Sequence, residues 1–342
     1  MIDNSGAICR LRSIVNSVED KGIVPHEVAV LNNGFGACLN GVTKADLGEP
    51  AFQRMARELW AEHGGLLAVR GDDLIDLQPA QMCEWAGVFG RIDEARVPSR
   101  EHLMVSDTAI MRIGNVRDES GNLKASFARV PALTSDADVQ YNPQTRRPVW
   151  HTDSTFKPSP PIGSVFHCKM APQTGGDTLF ANTSAAYNAL DADTRASLGR
   201  YEAVCSLAHH DKKINSYSPD YPILTPAQRA ANPPQRVPVV LNHPVSGKPA
   251  IYGLNSSTCA VVDKGAAVSD ADMDAYDLDG VEDDSVQILR GLLPHITGPA
   301  FTVRWRWQPG DVVVWDNRST MHAGTGYEHD KYEREMWRLT LL

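Results

Sequence analysis

The chain has 342 residues, 42% hydrophobic and 22% charged, an ordinary composition for a folded protein with ample length for a sizeable core. Its formal net charge of -9 argues against a nucleic-acid backbone or an anionic membrane as main partner, yet leaves room for a small anion met by a few local arginines. Six scattered cysteines with no Cys-x-x-Cys pair, an opening stretch without a long apolar run, from which no secretory signal is expected, and no window near the roughly 18–20 apolar residues of a membrane span point to reduced thiols in the cytoplasm. Residues 7–19 carry Ile8, Leu11, Ile14, Val15 and Val18 at helical spacing, so 1–32 reads as a helical N-terminal extension ahead of one domain over 33–342. Residues 28–42 read as strand and turn. Gly34, Gly36 and Gly41 lack the spacing of a dinucleotide fingerprint. An amphipathic helix follows at 51–63, then an apolar run over 65–69 and a helix at 79–90.

From residue 109 the pattern turns to strands. Ala109–Asn115 is a strand, and 117–148 is a long polar stretch with Lys124, Arg129, Arg146 and Arg147, the profile of a lid-like segment. Short strands are expected at 162–170 and 237–241. An acidic insertion at 263–284 does not fit an EF-hand loop, because Ala275 and Val281 stand where Gly and Glu are needed from Asp270. Phe301–Trp307 alternates apolar and polar residues with period two; a turn at Pro309-Gly310, a strand at Asp311–Trp315 and a closing strand within 330–342 complete the chain. Few helices early and many strands later suggest a mainly β protein with flanking helices, its core a jelly roll.

One pattern carries chemistry. In His151-Thr152-Asp153, residues i and i+2 of a strand face one side, so an imidazole and a carboxylate could share a metal. A second histidine would complete the two-His, one-carboxylate facial triad of non-haem Fe(II) oxygenases. The dipeptide pattern alone is weak, since His209-His210-Asp211 also contains it; that copy reads as a solvated connection before Lys212-Lys213. Context favours the first. His151 lies in PVWHTDSTF, Thr178 in GGDTLF, and a late His322 in WDNRSTMHAGTG. Near the end, Arg334, Met336 and Arg338 share a strand face; inward arginines need anionic partners, and a five-carbon diacid supplies one.

These runs, with GACLNGVTKADL, TGGDTLFAN followed by AAYNAL, NHPVSGK, VRWRWQPGDVVVWDNRSTMH and R-x-M-x-R, occur in family order across roughly 33–342, and the chain resembles the taurine/aryloxyacetate dioxygenases of TauD/TfdA type. The resemblance implies a double-stranded β-helix, Fe(II) as metal, 2-oxoglutarate and O2 as co-substrates, and release of succinate and CO2 as a substrate C–H bond is oxidised. It implies His151, Asp153 and His322 as iron ligands and Thr178 with Arg334 as the grip on the distal carboxylate of 2-oxoglutarate. It sets Arg338 beside the primary substrate, with a second-sphere bond to an acid such as Asp316 as the competing role. An assembly of several copies is a family-level expectation.

The resemblance thins around the primary substrate. Asn115 stands where taurine-specific members place a sulfonate-binding histidine, Arg147 replaces an asparagine, and Ser154 replaces an apolar residue; Tyr252 and Asn255 fall where relatives line the pocket, Tyr252 with a core role as the alternative. Taurine is therefore not expected. The expected substrate is a small or medium organic acid undergoing hydroxylation. The alternatives are a natural-product tailoring oxidase acting on an amino-acid-like compound and, outside enzymes, a jelly-roll metal-binding module without turnover.

Overall fold

The computed structural model describes residues 27–95, 98–126, 150–217, 223–267 and 284–342. The helix expected at 7–19, the lid-like segment beyond 126 with Arg129, Arg146 and Arg147, and most of the acidic insertion lie outside the described residues.

The strands in chain order are β1 (Glu27–Val30), β2 (Ala37–Asn40), β3 (Leu66–Arg70), β4 (Met111–Gly114), β5 (Gly163–Met170), β6 (Thr178–Asn182), β7 (Tyr201–Cys205), β8 (Gln235–Pro238), β9 (Val240–Asn242), β10 (Pro249–Ile251), β11 (Thr258–Asp263), β12 (Thr302–Trp305), β13 (Val312–Asp316), β14 (Thr320–Gly324) and β15 (Glu335–Leu341). A seven-stranded sheet runs β1-β2-β3-β13-β5-β15-β4, antiparallel except for the β2–β3 pair. Facing it is the three-stranded sheet β12-β6-β14, and beyond that lie β11-β7-β8 and the β9–β10 hairpin. This is a mainly β jelly roll with flanking helices. Because β1 belongs to the large sheet, the folded body reaches back past residue 33.

The large sheet is covered on both faces, so its central strands are apolar throughout rather than alternating. On β13, Val312 and Val314 pack with Phe52, Leu59, Trp60, Met82 and Trp85 of the helices Pro50–Glu62 and Pro79–Gly87. Val313 and Trp315 face the other way, into a cluster with Phe180, Val303, Trp305, Trp307 and Met336 between the two sheets. Beyond the small sheet, Ala181, Met321 and Ala323 pack on Ala203, Val237, Ile251 and Leu254.

Most expected strands fall within a few residues of their places. The largest departure is the second histidine motif. Residues 207–217 form a helix, and His209, Asp211 and Lys213 are buried at 0%, 6% and 1% exposure instead of solvated. Residues two apart on a helix face nearly opposite ways, so this helix is enclosed on more than one side, which a run of His, Asp and Lys does not reveal.

Candidate metal centre and co-substrate pocket

The site grows from the inter-sheet face of the small sheet. On β14, Met321 and Ala323 point outward, so the period of two sends His322 between the sheets. Its ring lies 4.8 Å from that of Trp315 and 6.3 Å from Phe180. His151 joins it through an isolated antiparallel bridge with both hydrogen bonds at 2.9 Å, His151 N–H to His322 C=O and the reverse. The two imidazoles are 4.3 Å apart between centroids. The expected strand does not continue to Asp153: the chain enters a turn there, with Ser154 at φ +50° in the left-handed region. The buried amide of Asn255 donates to Thr152 C=O, and Thr152 N–H donates to Leu254 C=O at 3.0 Å, so this turn is held from its middle residue.

Asp153 Oδ1 is then 3.5 Å from His151 Nε2, and Oδ2 is 3.8 Å from His322 Nε2. One ligand atom from each of the three side chains falls within 4.8 Å of the others, and among the described residues no other such group of histidine, cysteine or acidic side chains forms. The ionisation states suit a metal. Burial pushes the Asp153 carboxyl up, but Arg338, His322 and His151 outweigh it and hold the group well below the usual carboxylate range. Burial, with the neighbouring His151, pushes His322 down to about 3, so it stays neutral with a lone pair to give. Its Nδ1 is buried without a hydrogen-bond partner. Two imidazoles and one carboxylate are the donor set of a facial triad, and the residues present fit a ferrous ion.

The large sheet supplies the rest. Met336 lies in the inter-sheet cluster, so Arg338, two residues on along β15, also points inward. Its Nη2 donates to Asp153 Oδ2 at 3.0 Å, while Ser164 of β5 reaches the same oxygen at 3.3 Å. Asp316, the other carboxylate considered for Arg338, is held instead by Arg318 through two bonds of 2.8 and 2.6 Å and by His243 Nε2 at 3.0 Å.

Thr178 opens β6 on the same face as Phe180, and its hydroxyl accepts from Trp307 Nε1 at 2.9 Å. Arg334 directly precedes β15. It is half-buried, its Nε is enclosed without a hydrogen-bond partner, and it makes no ion pair with a described residue. Burial lowers its pKa, against the opposing pull of Cys168, Tyr327 and Asp177. A partly enclosed guanidinium with an unpaired Nε favours an anion whose geometry fits a planar fork.

Tyr252 is 5% exposed within the outer apolar cluster, and burial raises its phenol. Asn115 and Asn255 are buried with hydrogen bonds to backbone, and Arg147 lies outside the described residues. Sequence reasoning missed Ser164, Trp307 and the backbone role of Asn255: none has a spacing that marks it, since each acts across sheets or loops distant in the chain.

Residues 27–340 match the profile of the family described as Taurine catabolism dioxygenase TauD, TfdA family. The chain belongs to that family. As a TauD/TfdA member it is a 2-oxoglutarate-dependent non-haem iron dioxygenase, with Fe(II) as its metal and 2-oxoglutarate and O2 as co-substrates. It is 27% identical over 314 residues to the (S)-phenoxypropionate/alpha-ketoglutarate-dioxygenase of Sphingobium herbicidovorans, spanning 91% of this chain and 93% of that one. It is 33% identical over 202 residues to the alpha-ketoglutarate-dependent sulfate ester dioxygenase of Pseudomonas putida, which covers 56% and 58% of the two chains. Among solved structures, AAD-2 in complex with Mn(II) and N-oxalylglycine superposes with a TM-score of 0.64 at 22% identity, covering 93% of this chain and 97% of that one. A taurine dioxygenase from Burkholderia xenovorans gives 0.63 at 23%, covering 92% and 90%. At these identities the structural likeness speaks for the TauD/TfdA fold. No helix among the described residues is long and apolar enough to cross a membrane.

Proposed function

We propose that this dioxygenase hydroxylates a C–H bond of a small organic anion, with His151, Asp153 and His322 holding Fe(II), Thr178 and Arg334 holding the distal carboxylate of 2-oxoglutarate, and Arg338 facing the primary substrate. The observation that carries the reading is Arg334, its enclosed Nε without a hydrogen-bond partner and its side chain packed beside Gly176, two residues ahead of Thr178, in a chain whose three metal-ligating side chains converge. When bound, the ferrous ion with its keto acid supplies the oxidation and C–H cleavage; the protein supplies position, charge and a dry site. Asp153 remains charged and His322 neutral across the physiological range, so neither needs to exchange a proton on metal binding. Arg338 stabilises the carboxylate of Asp153 through one Nη, and its buried Nε has no hydrogen-bond partner, leaving donor capacity for a substrate anion. In this proposal Asn255 holds the turn that carries Asp153, Tyr252 packs in the outer apolar cluster, and Arg147 supplies a further cation for the substrate anion.

The relatives' named substrates, a phenoxypropionate and a sulfate ester, carry an anionic head on a small organic body. Free thiols at all five described cysteines suit a cytoplasmic setting. The test is succinate formation over a panel of carboxylates, sulfonates, sulfate esters and amino-acid derivatives, with product mass. A gain of one oxygen on an anionic compound is expected. Turnover confined to neutral or cationic compounds would sink the assignment.

A further inference from the structure

We infer that Asn115 is a positioning residue for the co-substrate, acting through Arg334, and not a contact to the primary substrate. The inference rests on the reading of Arg334 given above. Asn115 follows β4 and is 9% exposed. Its Nδ2 donates to His329 C=O at 2.8 Å and to Tyr332 C=O at 2.9 Å. Its Oδ1 accepts from the Tyr327 hydroxyl at 3.1 Å and from Arg334 N–H at 2.8 Å. A primary amide has two donors and two acceptor lone pairs, so all four capacities are filled and none is left for a ligand.

The main chain repeats the grip. Asn115 N–H donates to Arg334 C=O at 3.2 Å. One residue thus holds both peptide groups of Arg334 while its side chain ties down the preceding loop at three points. The approach depends on Gly114, which has φ +144°; a Cβ there would overlap the carbonyl of Arg334. The guanidinium of Arg334 emerges from a backbone fixed on both sides of its Cα. A long side chain aimed at a carboxylate has four rotatable bonds of its own, so fixing its root removes much of the remaining freedom. Tyr327 also lies close enough to act on the charge of Arg334.

The test is calorimetric titration of 2-oxoglutarate, and separately of N-oxalylglycine, into anaerobic Mn(II)-loaded protein, with Mn(II) affinity and thermal stability measured in parallel. Asn115→Ala should weaken both ligands about tenfold or more, the loss expected for one or two buried hydrogen bonds. Mn(II) affinity should stay within about twofold of wild type, since the metal side chains are untouched. Tyr327→Phe removes a single bond and serves if Asn115→Ala does not fold; it should weaken 2-oxoglutarate by about threefold in the same direction. In uncoupled turnover the KM for 2-oxoglutarate should rise while kcat at saturation holds. Wild-type affinity for 2-oxoglutarate in both variants overturns the inference, and so does an equal loss of Mn(II) affinity, which would mark a merely structural residue. Arg334→Ala separates the two levels: if it binds 2-oxoglutarate like wild type, the assignment of Arg334 itself fails, whatever Asn115 does.

Discussion

The chain contains two His-x-Asp patterns, and their fates differ. His151-x-Asp153 leaves a β bridge into a turn, while His209-x-Asp211 lies on a helix. Both aspartates are buried, and His209 is more enclosed than His151, so burial does not mark the metal pair. On a helix, residues two apart point to nearly opposite sides, and the pair cannot share an ion. Asp211 instead meets the adjacent His210, whose Nδ1 lies 3.0 Å from its Oδ1. At 151–153 a third ligand arrives from a different strand, and a guanidinium from a different sheet neutralises the carboxylate. A metal centre therefore shows as convergence across the fold rather than as a motif within one segment.

The sharpest way to break this contrast is to remove one ligand from each pattern. His322→Ala should reduce iron-dependent succinate formation by more than about a thousandfold, because even partners outside the metal's direct contacts are worth roughly 10–100-fold. His209→Leu should leave turnover within about twofold and lower unfolding stability by roughly 1–3 kcal/mol, read by denaturant melts. If His209→Leu abolished iron binding, the two patterns would not differ as described.

The next effect divides the two inward arginines. Arg334→Ala should weaken 2-oxoglutarate by about a hundredfold with iron affinity preserved, the size of a lost bidentate charge-assisted pair. Arg334→Lys should recover only part of this, since a point charge does not reproduce the fork. Arg338→Met should act on the metal as well as the substrate, lowering Fe(II) affinity by about tenfold, because Asp153 Oδ2 would keep only Ser164. An unchanged Fe(II) affinity with a raised substrate KM would assign Arg338 to the substrate alone.

The smallest effect concerns a third buried histidine. His167, on the helix-facing side of β5, is fully buried, and burial with nearby Lys169 pushes it down to about 3 from 6.5. A depressed histidine means that the unfolded chain binds the extra proton, so this residue's stability is complete above about pH 6.5 and is lost as pH falls toward 3. At pH 5.5 the loss should be about tenfold in the folding equilibrium, or ~1.4 kcal/mol. His167→Leu should flatten that part of the pH–stability curve; an unchanged slope would show that His167 is not its source.

Much of the fold was legible because its signals are local. The alternation of Phe301–Trp307 survives as Val303 and Trp305 inside and Arg304 outside, and the amphipathic helix at 51–63 lies within a residue of its place. Short strands such as β7 and β11 have too few residues to show a period. The triad was readable only with family context, since its partners are brought together by pairing between strands remote in sequence. The role of Asn115 was not readable at all. An asparagine before a polar stretch says nothing about which backbone it will meet, and its partners lie about two hundred residues downstream.

The most direct test of the metal assignment is anaerobic titration of Fe(II) into protein with 2-oxoglutarate, followed by visible absorption. Wild type and His209→Leu should both develop the charge-transfer band of a keto acid chelated to ferrous iron, and His322→Ala should not. No band in wild type, or a band of full intensity in His322→Ala, would contradict the assignment.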